Sequence, residues 1–367
     1  MKNRICKYLS LFMVGTVLFG LMTGCGSKDT KDTKNTGDEA QELNICIWDG
    51  SFSEEAIHDF EKENNCTVNI TYIENTDTMI SKLVEGGNEY DVCDIEAAYV
   101  KSFVDNGLLQ EIDHSAIPNE KYVDKSLMET GAIGDEKMEY TTPDMNAGYT
   151  GIIYNTETCP IEIKSFKDLA DPALKGQIAM VNSTISLYGA ALASLGYAPD
   201  TTDENEIKEA NDLLSEIKKN VKTFVGESAV SALENGECSV AFCWDYAVLC
   251  FDNEENWDKF AIADIDSDYE KFVQYWGIIA TSEKKELAQE FINYMISPDA
   301  VAMHVDEWGQ VPMVQKEYIE DKLPEGFYDN PCIEKYEELA DKSWLVAVDD
   351  KQINIMDTYY TQLMGGN

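Results

Sequence analysis

From Glu42 onward the chain repeats one local plan, a short apolar run followed by a stretch of helical period, and that alternation restricts its fold more than any other feature. "LNICIW" (43–48) reads as a buried strand. Ser53 can cap the helix after it, with Glu54 and Glu55 in the positive first turn and Ala56, Ile57 and Phe60 on one face. "CTVNITY" (66–72) alternates as a second strand, "TDTMISKLVEGG" (76–87) gives a helix ended by glycine, and "YDVCDI" (90–95) is a third strand. Strand, helix, strand, helix, strand implies a parallel sheet covered by helices.

The plan starts again near Tyr149. "GQIAMVN" (176–182) reads as a strand and "STISLYGAALASLGY" (183–197) as a helix that begins at Ser183 or Thr184 and stops at Gly196. Ile207, Ala210, Leu214, Ile217 and Val221 mark an amphipathic helix, and "CSVAFCW" (238–244) is an apolar strand ending on Trp244. Two α/β lobes follow. Apolar segments at the changes of unit, 148–155 and 273–280, are expected to cross between them and form a hinge. The helix "SEKKELAQEFINYMIS" (282–297), with Leu287, Phe291 and Met295 on one stripe, returns to the first lobe. The expected division is 42–149 plus about 277–318 for lobe 1, and 150–276 plus about 319–367 for lobe 2.

Residues 1–24 stand apart from this plan, because Lys2, Arg4 and Lys7 precede an apolar run from Tyr8 to Met22, as in a secretory signal peptide. "LMTGC" resembles the lipobox of bacterial lipoproteins, which implies that Cys25 carries lipid as the first mature residue. The polar, repetitive stretch 25–41 reads as a flexible tether. The expected location is the outer face of the bacterial cell membrane.

A net charge of -41 makes nucleic acid an improbable partner. Such a field attracts cations, and equally it keeps an exported protein soluble. Ten cysteines occur without zinc-like spacing, and Cys46, Cys93, Cys238 and Cys243 lie in apolar stretches as small core residues. Only three histidines are present, with no H-E-x-x-H, G-x-S-x-G or phosphate-loop pattern, so the chain gives little support for an enzyme, a surface enzyme or sensor lipoprotein stays open as the alternative of another class, and no cofactor or metal is implied.

The order of pieces resembles the solute-binding proteins of bacterial ABC importers, and among them the spermidine/putrescine-binding group. The likeness runs through 43–92, "VKSFVDNGLLQEID" (100–113), "SFKDLADPALKGQIAMVN" (165–182), "LGYAPDTTDENEIKEA" (195–210), "ALENGECSVAFCWDYA" (232–247) and "FINYMISPDAVA" (291–302). It implies an α/β, two-lobed periplasmic-binding-protein fold of type II, with the ligand cleft between lobes joined by crossing hinge strands. The implied partners are a small cationic or amine-containing ligand, an ABC permease with its ATPase, and the membrane through the N-terminal lipid; the receptor itself is expected as a monomer.

A cleft for an alkyl-diammonium ligand needs aromatic faces along the chain and carboxylates at its ends. The resemblance places Trp48 and Asp49 in the cleft, with Ser51 in the same turn, and Trp244 as a second tryptophan. Glu96 and Asp245 read as ligand carboxylates or as caps, Tyr99 and Trp276 as ligand contacts or as core. Several family positions differ. Asn182 and Ser183 stand where polyamine binders carry acids, an acid on the second hinge strand is replaced by Gln274 or Trp276, and Gln310 follows Gly309 in place of a tyrosine. A helix start at Asn182–Thr184 suits an anionic or neutral group, which keeps a zwitterionic solute (amino acid, betaine or aminophosphonate) open beside a polyamine.

Overall fold

The computed structural model describes residues 41–365 apart from 49–51, 74–75, 86–88, 226–228, 245–258, 309–310, 331–332, 334, 336–337, 340–341 and 348. The first half opens with β1 (Gln41–Trp48), α1 (Glu54–Asn64), β2 (Cys66–Ile73), α2 (Thr76–Val84), β3 (Val92–Glu96) and α3 (Ala97–Asp105). The α1 boundaries follow from the sequence: Ser53 Oγ accepts from the Ala56 N–H, and Asn65 leaves the helix at φ 48°, its N–H reaching the Glu61 carbonyl. Ala56, Ile57 and Phe60 are buried. β1 pairs in parallel with β2 and with β3, Ile45 opposite Val92 and Cys46 opposite Cys93.

After a short helix, α4 (Lys125–Thr130), the chain enters β4 (Thr141–Asn155), 15 residues long. The second half then carries β5 (Ile178–Val181), α5 (Thr184–Leu195), α6 (Glu204–Lys218), β6 (Val221–Val225), α7 (Ala229–Glu234), β7 (Val240–Cys243) and β8 (Phe260–Ile262). β9 (Tyr269–Ile278) returns antiparallel to both β4 and β3, and β10 (Ser343–Trp344) lies beside the start of β9.

The strand order is β2-β1-β3-β9-β4 in one half and β6-β5-β7-β4-β8 in the other. Each half therefore has three parallel strands and then an antiparallel one, and β4 and β9 link the halves. The helix Lys285–Met295 returns to the first half as expected, Phe291 meeting Phe60 edge to face at 5.2 Å. The terminal helix Asp350–Gly365 packs on α5 and α6 of the second half. Cys46, Cys93, Cys238 and Cys243 are buried. Among the described residues no helix is long and apolar enough to cross a membrane.

Three boundaries differ from the sequence reading. Val221 begins β6 instead of extending the amphipathic helix, because α6 ends at Lys218 and buried Asn220 ties the turn to the carbonyls of Leu169 and Asp171. β4 starts seven residues before 148: its first part, "TTPDMNA", is polar and contains proline, yet it is wholly buried and paired with β9 around an irregularity between Pro143 and Ala147. β9 starts at Tyr269 instead of 273, which brings Glu270 onto a crossing strand.

Candidate functional site

The carboxyl ends of β1 and β3 meet the crossing strands here. Residues alternate between sheet faces, so Asp94 and Glu96 share one face of β3, and Glu270, Gln274 and Trp276 share one face of β9. In the antiparallel register Asp94 stands opposite Trp276, Glu96 opposite Gln274, and Glu270 opposite Thr150 of β4.

Asp94 and Asp144 are 0% and 1% exposed, and their carboxyl groups are in hydrogen-bond contact. Burial and the neighbouring Asp144 charge hold Asp94 well above the usual carboxylate range. Burial pushes Asp144 up to about 7, against two bonds from Asn146, whose N–H donates to Oδ1 at 2.5 Å and whose Nδ2 donates to Oδ2 at 3.3 Å. With its nitrogen turned toward Asp94, the Gln274 amide donates to both oxygens at 2.8 and 2.6 Å. The Trp48 backbone N–H also donates to Asp94.

Glu96 ends β3 and occupies the cap position of α3, yet its side chain makes no cap hydrogen bond, so the carboxyl is not spent on the helix. Burial, and then the charge of Glu270, push it up to about 8. Glu270 is raised by burial, while the nearby hydroxyls of Thr150 and Ser186 oppose the shift. Its Oε2 is buried with the Thr150 hydroxyl beside it, and the Asn146 Oδ1 is buried without a hydrogen-bond partner. Among the described residues no positive charge acts on any of the four acids. Among the described residues no group of three His, Cys, Asp or Glu is placed to hold a metal ion.

The other candidate positions are distributed as follows. Trp48 is half-buried, packs on the same core cluster as Tyr99, and has no partner for Nε1. Trp244 is half-buried against the core of the second half. Trp276 is fully buried, stacked on Phe52 at 4.8 Å and edge-on to Phe291 at 5.6 Å. Asn182 accepts from the Tyr360 hydroxyl, and Ser183 caps α5 by accepting from the Ser186 N–H at 3.2 Å. Cys25, Asp49, Ser51, Asp245 and Gln310 lie outside the described residues.

Sequence reasoning missed Asp94, Asp144 and Glu270. A signal existed for two of them: Asp94 and Glu96 are acids two apart at the end of an apolar strand, and Glu270 continues the period-two series of Phe272, Gln274 and Trp276.

The family model described as "Bacterial extracellular solute-binding protein" matches residues 55–327. The chain belongs to that family. Among relatives of this solute-binding protein, the spermidine/putrescine-binding periplasmic protein 1 of Haemophilus influenzae is 27% identical over 285 residues, covering 75% of this chain and 76% of its own. Two solved structures share the fold. A putative spermidine/putrescine ABC transporter protein from Listeria monocytogenes superposes with a TM-score of 0.79 at 23% identity, covering 89% of this chain and 99% of its own. The Tp0655 lipoprotein of Treponema pallidum reaches 0.77 at 23% identity, covering 88% and 99%. The solute-binding protein thus has the two-lobed α/β fold of periplasmic binding proteins, with β4 and β9 as its crossing strands.

Proposed function

We propose that this protein is the solute receptor of an ABC importer and that its solute is a cationic amine of the polyamine class. One observation carries the reading: buried Asp94, Asp144 and Glu270 and half-buried Glu96 gather along the crossing strands, and among the described residues no basic side chain adds its charge to them. Buried carboxylates without a cation are costly, and an incoming ammonium group supplies the missing charge. The polyamine names of the relatives point the same way. So does the net charge of -41, which draws cations toward the cleft.

A solute with an anionic end has less to bind. Asn182 is engaged by Tyr360, Ser183 by Ser186, and Thr184 lies beside Asp357, so the start of α5 is used within its own half. Glu270 next to Ser186 would repel a carboxylate there.

Around the acids we place Trp48 and Trp244 against the alkyl chain, with Tyr99, Gln274 and Trp276 behind them, and Asp49, Ser51, Asp245 and Gln310 completing the wall. Lobe 1 is taken as 42–149 with about 277–318, and lobe 2 as 150–276 with about 319–367. Lipid on Cys25 would anchor a monomer beside the permease and its ATPase, and binding rather than catalysis is the work of the cleft. A melting screen with putrescine, spermidine, amino acids and betaine tests the reading, since a ligand selective for the folded state raises Tm. Stabilisation by zwitterions alone would overturn the polyamine class and leave the receptor role.

A further inference from the structure

The entry of the crossing strand β4 is fastened by side chains from an earlier part of the chain. Ahead of α4 lie two short 3-10 turns, His114–Ala116 and Pro118–Tyr122. His114 Nδ1 is 2.7 Å from Glu120 Oε1, and its Nε2 is 2.6 Å from the carbonyl oxygen of Met138, so one ring spans from the second turn to the segment that leads into β4. The same Glu120 oxygen accepts from the Thr142 hydroxyl at 2.7 Å. Thr142 is fully buried, opposite Trp276 of β9 and two residues before Asp144.

Both ring nitrogens face acceptors. A neutral imidazole has one N–H and one lone pair and can donate to only one of these oxygens, whereas the imidazolium donates to both. Met138 takes φ 53°, a left-handed conformation that residues other than glycine seldom adopt, and its carbonyl is the one the ring holds. The next residues hang on Asp135, whose carboxylate accepts from the N–H groups of Glu139, Tyr140 and Thr141 at 2.8, 2.9 and 2.9 Å. Segment 138–142 is therefore held by two carboxylates, one saturated by backbone donors and the other held by a titratable ring.

We infer that His114 is a pH-operated latch on the crossing region: protonated, it fastens the entry of β4 through Glu120 and Met138 together, and on losing its proton it lets one of them go. The latch does not depend on which solute the cleft takes. The charges around the ring favour its protonated form. Glu120 and Asp135 act on it directly, and Asp113 precedes it in the chain. Lys285, on the helix packed over the first turn, acts on Asp113, while exposed Lys137 and Glu139, either side of Met138, pair with each other at 3.8 Å. The bond to Glu120 leads in raising His114 to about 8. A group raised in this way stabilises the fold fully below the ordinary imidazole range, and the contribution is lost as pH rises through about 8.

Two measurements on the purified protein test the latch: NMR titration of the histidine rings, and hydrogen exchange of peptides covering 138–142, corrected for the intrinsic pH dependence of amide exchange. The expected result is a ring that titrates near pH 8, moved below about pH 7 in Glu120→Gln, which also assigns its signal. Exchange in 138–142 should rise at least about threefold more than in the rest of the chain between roughly pH 7 and pH 9. Asp144 titrates nearby, so the rise should persist in Asp144→Asn and shift to lower pH in Glu120→Gln. A ring titrating at or below about 6.5 overturns the inference, as does exchange in 138–142 that follows the rest of the chain across that window or whose rise vanishes in Asp144→Asn.

Discussion

Asp94 on β3 and Asp144 on the irregular stretch of β4 bring two carboxyl groups together where neither reaches water, with Gln274 of β9 donating to the first and Asn146 to the second. Three strands of the crossing region thus converge on one acid pair. Two carboxylates in hydrogen-bond contact cannot both ionise cheaply, so the pair holds a proton at neutral pH. The crossing region is built around groups that titrate in the physiological range.

Stability of the empty protein should therefore fall as pH rises. Asp144 at about 7 and Glu96 at about 8, with Asp94 and Glu270 also raised, bind protons in the folded state that the unfolded chain has already released. In that window the folded form carries more protons, and the slope of unfolding free energy with pH is negative. The stabilising protonation is complete below the ordinary carboxylate range and is lost as pH passes through about 7 to 8. Melting curves should give a higher Tm near pH 5.5 than near pH 8.5, with a flatter dependence in Asp144→Asn. A Tm that climbs across this window contradicts the assignment.

Asp94→Ala should be destabilising beyond its size. The Gln274 amide and the Trp48 N–H lose their acceptor, and a stranded buried donor costs about 1–3 kcal/mol. Denaturant unfolding measures the loss; a cost below about 0.5 kcal/mol would mean that these donors find another partner.

The tryptophans should separate by role. Trp48→Ala should weaken amine binding by about 0.5–2 kcal/mol, roughly two- to thirtyfold, through the lost aromatic face. Trp276→Ala removes a fully buried ring stacked on Phe52 and should cost about 3–5 kcal/mol of stability. Paired titration and unfolding measurements distinguish the two effects, and an unchanged Kd in Trp48→Ala would take that ring out of the site.

Gly189 on α5 admits the ring of Trp344, whose own register partner on β9 is Glu270. A Cβ at position 189 would sit inside the indole, so Gly189→Ala should destabilise by about 1–3 kcal/mol although alanine is the better helix former. Adding Trp344→Leu should reverse the sign. Equal loss in the single and double variants would point to a cause other than this contact.

Much of the architecture was legible because local chemistry and tertiary placement agree. Ser53, Glu54 and Glu55 start α1, Ser183 and Gly196 bound α5, and the buried stripes of α6 and of Lys285–Met295 carry the expected residues. The start of β4 was not legible, since polar "TTPDMNA" reads as loop and becomes strand only with β9 beside it. Asp144 and Glu270 were hidden by the same step: an acid in a polar stretch looks solvated until the long-range pairing encloses it. Glu96 was visible as an acid at a strand end, and only its unused cap geometry separates ligand carboxylate from helix cap.

Equilibrium titration of the purified protein at about pH 7.5 with spermidine and putrescine, against glycine betaine and an amino acid, decides whether the cleft is an amine site. Saturable heat at one ligand per chain is expected for the polyamines, weakened in Glu270→Gln. Heat from the zwitterions alone, or from none of the four while the protein melts cooperatively, would contradict it.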